Sequence, residues 1–246
     1  MVNNIKINDS LSRWEAFGAG FLSETMPAPC AACGVEVPVK HGFCEACHSL
    51  LPLIFDDDRC PACGAENDGI FDFCSKCLKE DERPWVNAVA VMRMQGLGSE
   101  LIHRFKYGNE TSLARSLGEL AAAAILNSGL DADLIVPVPL HWSRALSRGY
   151  NQTRLLCGII SKETGIPMRS ILRRTRATPK QASLGRERRK KNLVEAFAVR
   201  SQSYCEGRKI LLVDDVFTTG STLIAAAETL NKSGAAQVSI LTLVRA

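Results

Sequence analysis

Beyond residue 85 the apolar positions switch between two periods, and that switching sets the expected architecture. Residues 86–94 are apolar-rich and read as a strand. Residues 97–106 and 113–126 carry helical spacing, the second stretch being rich in alanine. Residues 134–138 form a short strand that runs into Pro137-Val138-Pro139. Residues 150–164 are helical again, and Gly165 stops them. Residues 210–213, Ile-Leu-Leu-Val, have the length and β-branching of a buried strand, and a helical run follows at 223–230. Strands alternating with helices predict an α/β fold, a mostly parallel sheet with helices on both faces. Nearer the N-terminus, Leu11, Trp14, Phe17, Phe21 and Leu22 mark one face of a helix over 10–24. This helix is not basic, so packing on the neighbouring module is expected rather than a membrane surface.

The segment between these regions is ruled by cysteine. Eight of the ten cysteines form four Cys-x2-Cys pairs: Cys30/Cys33, Cys44/Cys47, Cys60/Cys63 and Cys74/Cys77. Cys-Ala-Ala-Cys-Gly returns 30 residues later as Cys-Pro-Ala-Cys-Gly, so two copies of one unit are expected. A disulfide framework suits secreted chains, and no signal-peptide pattern is present. A redox Cys-x-x-Cys would not explain four pairs. Two tetrahedral four-cysteine zinc sites account for all eight. The glycine after the second ligand is expected to help turn backbone N–H groups towards sulfur. Local pairing is the simplest, and a crossed pairing also satisfies the spacing. Four thiolates leave no open position on the metal, so the role is structural. His41 and His48 are surplus, and Cys157 and Cys205 stand alone.

Length and charge refine this division. A chain of 246 residues can bury one good core plus a small appendage. Glu80 to Pro84 reads as a linker. The expected organisation is an N-terminal helical segment at 1–25, a double zinc ribbon at 26–82 and an α/β domain at 83–246. Residues 1–82 hold 6 Lys/Arg against 14 Asp/Glu, and residues 83–246 hold 24 against 12. Two modules with separate cores and different partners are expected, with nucleic acid suspected for the basic half. No apolar run reaches transmembrane length, so the expectation is a cytoplasmic protein without membrane insertion.

The most specific chemistry lies at 210–222. Asp214 and Asp215 follow where the apolar run should end, and Thr218, Thr219, Gly220, Ser221 and Thr222 form a small hydroxyl-rich turn before a helix. Ligands of open α/β sheets sit outside the carboxyl ends of the strands. A glycine turn into a helix start offers N–H groups and a positive dipole end to a phosphate. Carboxylates beside it accept hydrogen bonds from sugar hydroxyls or hold water around Mg2+. The combination predicts a ribose-phosphate site.

This stretch resembles the phosphoribosyl pyrophosphate (PRPP) signature of the type I phosphoribosyltransferases. The resemblance implies that Asp214 and Asp215 face the ribose hydroxyls and that residues 218–222 cradle the 5′-phosphate, with Mg2+ accompanying PRPP. It also matches Pro137, Val138, Pro139 and Leu140 to a pyrophosphate-binding loop. Two further boxes are Val136-Pro137-Val138-Pro139-Leu140-His141-Trp142, continuing to Arg148-Gly149-Tyr150-Asn151-Gln152, and Lys180-Gln181-Ala182-Ser183-Leu184, continuing to Arg188 and residues 192–197. With the cysteine pairs they resemble the ComF family (ComFC/GntX-like) over about residues 30–245. Tyr150 stands where that family usually has phenylalanine.

Arg144, Arg148, Asn151 and Gln152 supply donors that suit phosphate or nucleic acid equally. Residues 169–191 carry ten Lys/Arg and one acid, Glu187. Arg173, Arg174, Arg176, Lys180, Arg186, Arg188, Arg189, Lys190 and Lys191 are more than PRPP can use, and they fit a polyanion. The family resemblance implies single-stranded DNA, a role in natural transformation or use of external DNA, and a ComFA-like helicase as partner. Two other classes share the motif: a working phosphoribosyltransferase of nucleotide metabolism and a PRPP-sensing regulator.

Overall fold

The computed structural model describes residues 28–37, 41–55, 59–67, 71–79, 83–108, 110–139, 151–175 and 196–246. The expected helix at 10–24 lies outside them. The cysteine-rich region contributes β1 (Ala28–Pro29), β2 (Glu36–Val37) and the short helix α1 (Glu45–Ser49). The α/β region runs β3 (Asn87–Arg93), α2 (Gly96–Tyr107), α3 (Leu113–Asn127), β4 (Leu134–Pro137), α4 (Gln152–Thr164), β5 (Leu172–Arg174), β6 (Phe197–Val199), β7 (Lys209–Phe217), α5 (Ser221–Lys232) and β8 (Gln237–Arg245). Among the described residues, no helix is long and apolar enough to cross a membrane.

Strands β3, β8, β7 and β4 form a four-stranded sheet in that order, and each neighbouring pair is parallel. Parallel strands buried on both faces explain why 210–213 is continuously apolar. Within β7, Leu211 and Val213 enter one core while Ile210 and Leu212 enter the other. The first core is closed by α2, α3 and α4, through residues such as Leu101, Phe105, Leu117 and Ile160. The second is closed by α5 and the antiparallel pair β5–β6, through Leu223, Ala226, Leu172 and Phe197. Gly165 takes a left-handed conformation (φ 75°) at the end of α4, which is why the helix stops there.

Among the described residues, the cysteine region does not have a core of its own. Cys30, Phe43 and Cys44 are buried with α2, α3 and α4 in the first core, and Cys60 and Cys63 are buried with Trp85 and α5 in the second. The chain between the two cysteine groups passes along the outer edge of β3. Leu53 bridges Met92, the Ile54 N–H donates to Val91 O, and the Arg93 N–H donates to Pro52 O. That cover satisfies an otherwise open sheet edge. The expectation of separate cores is therefore corrected: a unit too small to bury its own apolar surface uses both faces of the sheet.

A second correction concerns β7. It does not end at Val213 but pairs with β8 as far as Phe217 opposite Arg245. The acidic pair lies within the strand, and the turn begins at Thr218.

Candidate functional site

The eight cysteine sulfurs gather locally. Cys30, Cys33, Cys44 and Cys47 form one group and Cys60, Cys63, Cys74 and Cys77 the other, each with all sulfurs within 4.8 Å of one another. Neither group includes His41 or His48. The Cys33–Cys44 and Cys63–Cys74 sulfurs are 3.9 and 3.7 Å apart. Disulfide sulfurs would be about 2.05 Å apart. Tetrahedral zinc with Zn–S near 2.3 Å places sulfurs about 3.8 Å apart, and the groups fit that geometry. The N–H groups of Gly34 and Gly64 donate to the carbonyls of Cys30 and Cys60 and close the two turns. Backbone N–H groups also turn towards sulfur, those of Cys44 and Cys74 reaching Cys30 Sγ and Cys60 Sγ at 3.3 and 3.4 Å.

The thiols respond unequally. Burial would raise Cys30, but N–H groups of Cys33, Cys44 and Ala32 outweigh it and lower the thiol to about 6. Cys47 is raised to about 12, chiefly by its hydrogen bond with the Cys44 side chain. In the second group burial raises Cys63 and Cys77, while Cys74 is lowered by its bonds with Cys77 despite burial. Four adjacent thiolates cannot all persist without a cation to neutralise them, which is the condition a structural metal satisfies.

The second centre lies at the carboxyl end of β7. Asp215 is buried, and its Oδ1 meets Lys106 Nζ of α2 at 2.8 Å. Asp214 keeps some contact with water, yet protein encloses most of its carboxyl. That desolvation, reinforced by the charge of Asp215, pushes Asp214 up to about 8. The positive charges of Lys106 and Arg174 act against this rise without cancelling it. Asp214 in turn raises the thiol of the buried Cys157, whose main perturbation is burial.

The turn follows directly. Thr218 and Thr219 are exposed, and Gly220 is buried with φ 75° as the residue preceding α5. Only glycine fits there, since a Cβ would stand 2.5 Å from the Phe217 ring. Thr219 Oγ1 lies 2.8 Å from Ser221 Oγ and accepts from the Ser221 N–H at 3.4 Å. Ser221 and Thr222 open the helix, so hydroxyls and first-turn N–H groups share one end of the sheet with the acidic pair. This arrangement can hold a phosphate beside a polyhydroxylated sugar.

The remaining sequence-selected residues are placed less uniformly. Pro137 ends β4 and Val138 is buried in the second core, with its N–H donated to Val213 O. Prolines carry no N–H, so residues 137–139 have no free amide for an anion. Leu140, Arg144, Arg148, Arg176, Lys180, Arg186, Arg188, Arg189, Lys190 and Lys191 lie outside the described residues. Asn151 caps α4 by accepting from the Arg154 N–H, and Gln152 is 1 % exposed. Arg173 is exposed on β5, whereas Arg174 packs its guanidinium over Phe197 at 5.5 Å.

Sequence reasoning missed Lys106. It lies 109 positions before Asp215, and a lysine in the last turn of a helix reads as an ordinary partner for the helix dipole. It also missed Arg245, whose Nη1 donates to the carbonyls of Phe217 and Thr218 at 3.1 Å. No local pattern marks either residue; only the fold brings them to the site.

An acidic pair and a glycine turn into a helix at the carboxyl end of a parallel sheet fit the phosphoribosyltransferase class of fold. The phosphoribosyl transferase domain model matches residues 153–246, and a domain of unknown function (DUF7577) matches 59–80. DNA utilization protein YhgH of Escherichia coli K12 is 35% identical over 228 residues, covering 90% of this chain and 98% of that protein. Competence protein F of Haemophilus influenzae is 34% identical, covering 84% and 92%. Competence protein ComFC of Bacillus subtilis is 26% identical, covering 82% and 83%. The chain belongs to the ComF family of competence and DNA-utilization proteins. Its fold is that of a type I phosphoribosyltransferase-like α/β domain preceded by a cysteine-rich module consistent with zinc ribbons.

Proposed function

We propose that this protein handles incoming single-stranded DNA in the cytoplasm during DNA uptake or natural transformation, and that it binds PRPP or a related ribose phosphate. The observation that carries the ligand reading is the Asp214–Asp215 pair set beside the Gly220 turn at one end of β7. The DNA reading is supported by the names of relatives that align along nearly their whole length. In this reading residues 26–82 are a double zinc ribbon with two structural Zn2+ ions, and residues 83–246 are the ligand-binding domain. Asp214 and Asp215 accept from ribose hydroxyls, residues 218–222 hold the 5′-phosphate, and Mg2+ accompanies the pyrophosphate. The basic residues between Arg173 and Lys191, with Arg144 and Arg148, contact the DNA backbone. A ComFA-like helicase is the partner this role implies.

A second reading, an active phosphoribosyltransferase or a PRPP sensor, is favoured by the domain match over residues 153–246. Calorimetry with PRPP and Mg2+, repeated with a single-stranded oligonucleotide, separates them. Binding of both ligands supports the DNA-handling role. PRPP binding alone supports the enzyme or sensor, and binding of neither overturns both readings.

A further inference from the structure

We infer that each cysteine cluster sets one half of the ribose-phosphate site, with Lys106 and Arg245 as the positioning residues that carry the coupling. The inference rests on the reading of that site as a PRPP site.

The first cluster reaches Asp215 through the last turns of α2. Arg104 Nη1 and Nη2 donate to the carbonyls of Ala32 and Ala31 at 3.0 Å each. Those two residues are the ones between Cys30 and Cys33. The peptide turn that joins Cys30 to Cys33 therefore offers its carbonyls to Arg104. Glu110 holds the guanidinium from the other side at 2.7 Å. The next residue, Phe105, is fully buried in the core that contains Cys30 and Cys44. The residue after that, Lys106, reaches Asp215. Closure of the first cysteine turn around a metal thus seats the helix end that presents the ammonium to the acidic pair.

The second cluster reaches the turn through Trp85 and Phe217. Ala62, between Cys60 and Cys63, accepts at 2.9 Å from Trp85 Nε1. The Trp85 ring meets Phe217 edge-on, at 6.0 Å and 82°. Phe217 occupies the space that a side chain at residue 220 would need, so it fixes the height of the turn. Arg245 joins this route at Phe217. Its guanidinium stacks 4.5 Å over the Phe217 ring and donates to the first carbonyls of the turn. The ring that Trp85 meets from the cluster side is thus the ring that seats Arg245 against the turn.

Coupling of this kind is reciprocal: if metal favours ligand, ligand must favour metal by the same factor. The test uses the zinc-loaded full chain. PRPP with Mg2+ is first titrated into the wild type by calorimetry. Zinc release to a chromogenic chelator is then followed with and without saturating PRPP, and alkylation with mass spectrometry assigns each released cysteine to its cluster. PRPP is expected to increase zinc retention at both clusters by about fivefold or more. Lys106→Met should lose that protection at Cys30, Cys33, Cys44 and Cys47 only. Arg245→Met should lose it at Cys60, Cys63, Cys74 and Cys77 only. Lys106→Arg and Arg245→Lys, which keep the charge, should restore part of it. General destabilisation would expose both clusters in both variants, and that result overturns the coupling. So does a wild type that binds PRPP with unchanged zinc release. A wild type that binds no PRPP overturns the site reading itself, and the coupling with it.

Discussion

Gly64 lies against the backbone of Ala90: a Cβ on Gly64 would stand 2.7 Å from the Ala90 nitrogen. The residue after Cys63 thus touches the middle of β3, with φ at +68°. An alanine here meets two penalties, a left-handed backbone and a clash with main chain that cannot move aside. Together they are expected to cost about 2–4 kcal/mol. Because Cys60 and Cys63 share a core with α5, the cost should fall on the whole domain. Gly64→Ala and Cys63→Ser should each lower a single cooperative thermal transition, followed in parallel by tryptophan fluorescence and far-UV circular dichroism. Two separated transitions would contradict the shared core.

The metal content follows from sulfur geometry. Elemental analysis of the purified chain should give about two zinc ions, one for each group of four sulfurs. Cys63→Ser should hold about one. Chelation should lower the melting temperature of the sheet itself, since metal binding is linked to folding. Iron with visible absorbance, or one equivalent in the wild type, would contradict the assignment.

At the ligand site, Gly220→Val places branched carbon where the Phe217 ring already lies. The turn must shift, and PRPP affinity should fall at least tenfold. Asp214→Asn with Asp215→Asn should weaken binding by about 1.5–3 kcal/mol for each charged hydrogen bond lost. Asp215→Asn also removes the charge that Lys106 faces at 2.8 Å. Calorimetry reads both effects, and unchanged affinity in both variants would mean the ligand is misassigned.

How much of this was legible in the chain depends on range. The helices at 97–106, 113–126 and 150–164 were visible because each has its own periodicity, and α2, α3 and α4 match them within a few residues. The cysteine groups were visible because ligand spacing is local, although local and crossed pairing became distinguishable only in three dimensions. The extent of β7 was not visible. Two carboxylates look like a strand end, but β8 continues the ladder past them to Phe217. The strand β8 and the β5–β6 pair were also not foreseen. Lys106, Arg245 and the edge cover at 52–54 depend on contacts between distant segments, for which a single sequence carries no pattern.

The basic segment makes a prediction that depends on salt. Binding to a single-stranded oligonucleotide should weaken as salt rises, with a log–log slope of roughly −0.7 per phosphate contacted. Neutralising Arg188, Arg189, Lys190 and Lys191 should reduce both affinity and slope. Sequence preference should be slight, because backbone contacts carry no base information. A variant that loses PRPP binding but keeps the full slope would remove these residues from the DNA interface.

Asp214 makes a prediction that depends on pH. Its carboxyl titrates near 3.9 in the unfolded chain and about 8 in the folded one, raised by burial and by Asp215. Between those values the folded state holds a proton that the unfolded state has released. The contribution of Asp214 to stability therefore falls as pH rises from about 4 to about 8, and is level above that. Asp214→Asn removes the titration. From pH 6 to 8, where acid does not strip the cysteine clusters, the stability of the variant relative to wild type should climb by up to about 1.4 kcal/mol per pH unit. The gain should stop near pH 9. Urea midpoints at pH 6, 7, 8 and 9 measure this directly. Ligand binding supplies an independent check, because a carboxylate that accepts from ribose hydroxyls must first lose its proton. Calorimetry at pH 7 in buffers of different ionisation enthalpy should show proton release on PRPP binding by the wild type, less in Asp214→Asn. Parallel stability profiles and equal proton release in the two proteins would show that Asp214 is already ionised at neutral pH.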